Sequence, residues 1–264
     1  MISKNPKPQP DNNESQDKQA SPDLGSSSVS ASHPGESNEN SRRKFLQLTM
    51  GGAVAGLVSA AGMEFLNPAP ALAQSQLTPE EALKELIEGN KRFVAGCLTS
   101  FKENLAILRN HTSELQQPFA AVLACADSRV PVELIFDQTI GHIFVTRVAG
   151  NFVTPEIIGS LEYGALVLGT KVILVMGHGS CGAVKATIDN SDVPGQITSL
   201  YQHIQPAVDK AGTDLEFAIK VNARIQTGLL RQASTVIARM LDQGKIIVLP
   251  AYYHLGSGKV TLLE

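Results

Sequence analysis

Four short apolar runs constrain this chain most: Phe119 to Ala124, Ile143 to Val148, Lys171 to Met176 and Lys245 to Leu249. Each is a candidate buried strand. Stretches with helical patterning lie between them, at 155–168, 181–189 and roughly 214–242. Strands alternating with helices predict an α/β fold, a mostly parallel central sheet flanked by helices. A terminal hairpin is expected around Gly256-Ser257-Gly258, followed by a last strand from Val260 to Leu263. Ahead of the sheet, Thr78-Pro79-Glu80-Glu81 opens a helix, with Thr78 as cap, Pro79 at the first position and Glu81 completing a capping box. Leu83, Leu86, Ile87, Phe93 and Val94 recur at helical spacing and predict an amphipathic helix ending near Gly96. Residues 102–116 suit a second, more polar helix, so an N-terminal helical arm precedes the sheet.

The first seventy-odd residues have a different character. Residues 1–40 are rich in Ser, Asn, Asp, Gln, Pro and Gly, cannot bury enough surface to offset their ordering entropy, and are expected to be disordered. Then Ser41-Arg42-Arg43-Lys44-Phe45-Leu46 leads into an uncharged stretch from Gln47 to Met63, and small residues follow at Ala71-Leu72-Ala73. Basic region, modest apolar region and cleavage site make residues 41–73 an export signal. Its order resembles the twin-arginine class, a receptor-read address, which makes the export machinery a partner. The expected destination is outside the cytoplasm, in the periplasm, with cleavage after Ala73; an uncleaved signal would tether the protein to a membrane. A spanning anchor is the alternative, but the run is weakly hydrophobic, rich in glycine and only marginally long. Residues 74–264 are then the folded domain. Export after folding suits a thiolate metal site, because a metal loaded inside the cell protects the sulfurs outside.

Charge excludes one class of partner. The net charge is -3 and the pI about 6.1, with Lys and Arg scattered, so the chain lacks the basic patch that nucleic acid requires. Three cysteines, Cys97, Cys125 and Cys181, are too few and of the wrong parity for a disulfide framework. Cys97, beside Gly96, reads as a partly buried small apolar residue.

Gly177-His178-Gly179-Ser180-Cys181-Gly182 fits the glycine pattern of a dinucleotide loop between strand and helix. The acidic strand end required about 20 residues later is missing, since Gly195 to Gln202 has no buried-strand pattern. A phosphate-binding loop fails too, because Ala183 follows Gly182 where a lysine should stand.

Zinc accounts better for the same residues. It prefers thiolate and imidazole in a tetrahedron. His178 and Cys181, three apart, can turn toward one point, and Cys125 can arrive from a neighbouring strand end, where open α/β sheets bind ligands. Closed structural sites use four Cys or His ligands, so three leave a position open and favour catalysis. Asp127 sharpens this. Its carboxylate can serve as a fourth ligand, while Arg129, two residues on along an extended segment, can clamp it by two parallel hydrogen bonds. With Asp127 on the metal the site is closed; with Asp127 on Arg129 a water can enter.

Cys125-x-Asp127-Ser128-Arg129 followed by His178-x-x-Cys181, with Arg147-Val148-Ala149-Gly150-Asn151 between, resembles the β class of carbonic anhydrases from about Thr78 to the C-terminus. The resemblance implies Zn2+ held by Cys125, His178 and Cys181, with Asp127 either on the metal or paired with Arg129. It implies reversible hydration of carbon dioxide to bicarbonate, a lyase reaction, by a homodimer or tetramer of dimers. Gln138 falls, with a one-residue difference in spacing, near a glutamine that many members place beside the substrate from the dimer interface. Gly179 leaves room for bicarbonate, with backbone N–H groups as contacts. The second bicarbonate pocket of some members is built around a tryptophan, and this chain has none. Two other functions fit the ligand set: a carbonyl sulfide or carbon disulfide hydrolase, and a zinc-containing module without turnover.

Overall fold

The computed structural model describes residues 75–100 and 116–264. The polar region at 1–40, the export signal at 41–73 and nearly all of the helix expected at 102–116 fall outside the described residues. Helix α1 spans Pro79–Val94 and opens with the expected capping box: Thr78 Oγ1 accepts from the Glu81 N–H, and the Glu81 carboxylate accepts from the Thr78 N–H. Along the chain follow β1 (Ala120–Ala124), a single helical turn α2 (Val132–Ile135), β2 (Ile143–Arg147), α3 (Pro155–Glu162), β3 (Val172–His178) and α4 (Gly182–Ile188). Helices α5 (Tyr201–Ala211), α6 (Leu215–Ala233) and α7 (Thr235–Asp242) lead to β4 (Ile247–Tyr253) and β5 (Val260–Leu262).

The sheet runs β2-β1-β3-β4-β5; its first four strands are parallel and β5 returns antiparallel to β4. Alternation of side chains about the pleat divides the core. Ala120, Val122, Leu174 and Met176 face Leu86 of α1 and Ile135 and Phe136 around α2. Ala121, Leu123, Ile173 and Val175 face Leu161, Leu230 and Ile237 on the other side. Helix α1 lies close to the end of α2 because Gly89 has no side chain: a Cβ there would sit 1.8 Å from the Phe136 carbonyl oxygen. Buried Asn90 ties the same helix to the hairpin, donating to the Ile135 and Gly258 carbonyls and accepting from the Val260 N–H.

Three expectations change in detail. The apolar run ending at Leu249 becomes a strand that continues through Pro250 to Tyr253. Pro250 is tolerated because its C=O, and therefore its missing N–H, faces β5, whose ladder begins only at the next residue, Ala251. The helical stretch at 214–242 is two helices, since Ser234 adopts an extended backbone and caps α7 through Ile237 N. The stretch at 155–168 ends in a π-helical turn, Tyr163–Val167. Helix α5 lies in a region for which the sequence predicts no element.

Candidate metal centre

β1 delivers Cys125 one residue past its last paired position, and the loop that follows is pinned from β2. Val148 N donates to Ala124 O at 3.2 Å, and Ala126 N to Val148 O at 3.3 Å. Arg147 adds a fork, its Nε on Cys125 O at 2.9 Å and its Nη2 on Asp127 O at 2.5 Å. β3 ends in His178 itself, which pairs in register with Tyr253. Ser180 then takes a left-handed conformation, φ +53, turning the chain so that Cys181 becomes the residue before α4. These two turns bring residues 56 positions apart together, with Cys125 Sγ and Cys181 Sγ separated by 4.0 Å.

The ligand atoms of Cys125, His178 and Cys181 all lie within 4.8 Å of one another, and all three residues are buried. His178 Nδ1 faces the Gly179 carbonyl at 2.9 Å. A carbonyl only accepts, so Nδ1 carries the proton and Nε2 presents a lone pair. That Nε2 is buried and has no hydrogen-bond partner among the described residues. An orphaned acceptor beside two sulfurs is what zinc would satisfy, and two sulfurs on a tetrahedral zinc stand about 3.8 Å apart. The residues fit the metal.

Two buried thiols this close cannot ionise alike. The Cys181 thiol, as hydrogen-bond donor, pulls Cys125 well below the ordinary thiol range against the opposing effect of burial, helped by the Gly150 N–H. Cys181 is pushed far up by the same contact, by burial and by the charge on Cys125. A dication between them removes that conflict, because each thiolate then faces the metal.

Asp127 is held away from the cluster. Its Oδ1 accepts from Arg129 Nε at 2.9 Å and its Oδ2 from Arg129 Nη2 at 2.8 Å. The pair forms across a turn rather than along an extended segment: the Arg129 N–H also donates to Asp127 Oδ1, closing a local ring. Arg129 Nη2 further reaches Ser180 O at 3.2 Å, linking the two loops. Arg129 holds the Asp127 carboxyl well below the usual carboxylate range, burial opposing. Asp127 Oδ2 nevertheless stands 3.9 Å from His178 Nε2, at the edge of the cluster.

The remaining sequence candidates lie differently. The Gly179 N–H donates to Tyr253 O at 2.9 Å. Its missing side chain admits Tyr252, whose hydroxyl would be 3.2 Å from a Cβ. Gln138 is buried against its own chain, its Nε2 donating to Glu85 and to Phe136 O and its Oε1 facing His142. Cys97, expected to be partly buried, is exposed. Arg147 fastens the Cys125–Asp127 loop, a role that its place in the sequence pattern does not reveal. Asp137, which carries no sequence motif, is buried and gathers Arg92, Thr99 and Ser100. A lone Asp at a helix end gives no sequence signal of such partners.

Residues 120–260 match the carbonic anhydrase family. A carbonic anhydrase of Mycolicibacterium smegmatis is 39% identical over 194 residues, covering 70% of this chain and 93% of that protein. Carbonic anhydrase 2 of Mycobacterium tuberculosis is 34% identical over 198 residues, with 70% and 93% covered. Among solved structures, the β-carbonic anhydrase CcaA gives a TM-score of 0.55 at 26% identity, covering 69% of this chain and 95% of that one. The Coccomyxa β-carbonic anhydrase, solved in complex with acetazolamide, gives 0.54 at 26% identity, with 69% and 86% covered. The chain belongs to the carbonic anhydrase family, and within it to the β class, whose solved members share its sheet.

Proposed function

We propose that this chain catalyses the reversible hydration of carbon dioxide to bicarbonate and a proton, with zinc held by Cys125, His178 and Cys181. One observation carries the assignment of ligands: the buried Nε2 of His178, without a hydrogen-bond partner among the described residues, belongs to a ring clustered with two sulfurs, while the nearby Asp127 carboxylate is tied to an arginine. Zinc in that position supplies Lewis acidity, bringing the ionisation of water toward neutral pH. The protein's own residues do the rest. Ionised Asp127 can only accept a hydrogen bond, so it orients the attacking oxygen by taking its hydrogen. Arg129 keeps that carboxylate ionised and off the metal. His178 is fixed in one tautomer by the Gly179 carbonyl, and Arg147 holds Cys125 and Asp127 at a set separation.

Gln138 is assigned to the substrate side through a second copy of the chain, in a homodimer or a tetramer of dimers. Residues 41–73 are assigned to export, on their basic, apolar and small-residue order; fractionation of cells expressing the full chain tests this, and a wholly cytoplasmic product excludes it. The assay that decides the central reading is stopped-flow carbon dioxide hydration with zinc measured on the same sample. One zinc per chain with rapid turnover is expected. Zinc without turnover would favour a binding module, and turnover confined to carbonyl sulfide or carbon disulfide would move the protein to the sulfur-substrate hydrolases.

A further inference from the structure

A chain of buried amides runs from helix α6 to the sulfur of Cys125. The Gly150 N–H donates to Cys125 Sγ at 3.3 Å, and the Gly150 carbonyl accepts from Asn222 Nδ2 at 2.9 Å. Asn222 Oδ1 accepts in turn from Gln226 Nε2 at 3.2 Å. Gln226 Nε2 also donates to His203 O, while Gln226 Oε1 accepts from the Val153 N–H at 3.0 Å. Two side chains one helical turn apart therefore grip both ends of the loop from Gly150 to Val153. Asn222 and Gln226 are each only 1% exposed. They stand on the buried face of α6 among Ile219, Ala223 and Leu230, where a helix needing only to cover a core would carry apolar side chains. Fully satisfied buried amides fix one geometry, and a half-satisfied set is costly. Gly150 imposes a second constraint: it takes φ +89, and a Cβ there would lie 2.6 Å from Ile204 Cδ1. That backbone conformation favours glycine.

We propose that Asn222 and Gln226 are positioning residues for the metal centre, aiming the Gly150 N–H at Cys125 so that it draws electron density from one of the two thiolates. The inference rests on the reading of Cys125 as a zinc ligand. Two thiolates donate strongly and weaken a metal's acidity; an N–H on one sulfur takes back part of that donation. The amide chain is then an electronic adjustment made from a helix that touches the metal nowhere.

Cobalt substitution reads this directly, through the sulfur-to-metal charge-transfer band. Asn222→Asp keeps the shape and the acceptor for Gln226 but removes the donor to Gly150. Its band should move to longer wavelength, because a sulfur without its N–H holds electrons less tightly, and kcat should fall about tenfold with KM little changed. Thr227→Val is the control: Thr227 is buried on the same helix but its hydroxyl donates to Ala223 O rather than to the loop, so stability should drop while the band stays in place. A band at the wild-type position in folded Asn222→Asp protein overturns the proposal. If that variant does not fold, wild-type protein loaded with spin-half cadmium serves instead. Scalar coupling between cadmium and the Gly150 amide proton supports the contact, and its absence overturns it. Wild-type protein that binds cobalt with no sulfur charge-transfer band would remove the ligand reading itself, whereas a present but unmoved band removes only this inference.

Discussion

Two aspartates ten positions apart, Asp127 and Asp137, each meet an arginine, and they do opposite work. Asp127 is held by Arg129, itself 52% exposed, and its own side chain is 16% exposed. Asp137 has a side chain that is fully buried, and it takes Arg92 Nε at 2.6 Å plus the N–H and hydroxyl groups of both Thr99 and Ser100. Burial pushes the Asp137 carboxyl up, but Arg92, Thr99 and Ser100 together outweigh it and hold the group below the usual carboxylate range. Both carboxylates are thus ionised and both are paired. What differs is the number of bonds that must break to move them. A carboxylate held by one solvent-facing arginine can exchange partners, and one held on all its lone pairs cannot. The first suits a site that must open; the second suits a joint.

The largest effect expected from breaking this contrast is at Arg129. Arg129→Ala should retain one zinc per chain yet lose turnover on the order of 100-fold, because Asp127 becomes free to approach the metal and is no longer oriented. Stopped-flow rates and metal content on one preparation check both halves. A rate within a few-fold of wild type would show that Asp127 needs no restraint.

Asp137→Ala should do the reverse. Removing the buried carboxylate strands Arg92 and the donors of Thr99 and Ser100, and forces alanine into a φ of +46. A loss of about 2–4 kcal/mol is expected, visible as a lower denaturation midpoint, with kcat of the remaining folded protein nearly unchanged. A stability equal to wild type would reduce the joint to an ordinary surface pair.

Acid titration separates the joint from its surroundings. The Asp137 carboxyl is depressed on folding, so its stabilisation is complete above the unfolded value of about 3.9 and is lost as pH falls below it. Asp137→Asn keeps the left-handed backbone comfortable while removing the charge. The stability gap between wild type and this variant should be flat from pH 7 to about 5 and close below about 4. A gap that widens with acid would have the wrong sign for this carboxylate.

The contrast also shows what could be read from the residues alone. The ligand set was legible because zinc accepts few side chains, and the chain offers two cysteines and a histidine at strand ends. The Asp127–Arg129 pair was legible because its partners are two residues apart, although the turn that joins them is not the extended segment expected. Asp137 was illegible for the converse reason: its partners lie 37 to 45 positions away and meet it only once α1 has packed on the sheet. The strands and their mostly parallel arrangement followed from apolar runs alternating with helical stretches, whereas Pro250 hid half of β4 and the Ser234 break hid the boundary between α6 and α7. Local chemistry leaves a mark in sequence; bonds closed by packing do not.

The smallest effect should come from Glu85, which stands between the joint and Gln138. It accepts from Arg92 Nη2 at 3.3 Å and from Gln138 Nε2 at 3.1 Å, and its side chain is 44% exposed. Arg92 keeps its bond to Asp137 without it, so Glu85→Ala should cost less than about 1 kcal/mol. Gln138 retains the Phe136 carbonyl but loses its charged acceptor. If Gln138 serves the substrate of a second copy, this release should raise KM for carbon dioxide modestly and leave the Asp137-dependent stability untouched. A change in stability as large as that of Asp137→Ala, with KM unmoved, would make Glu85 part of the joint and sever Gln138 from the site.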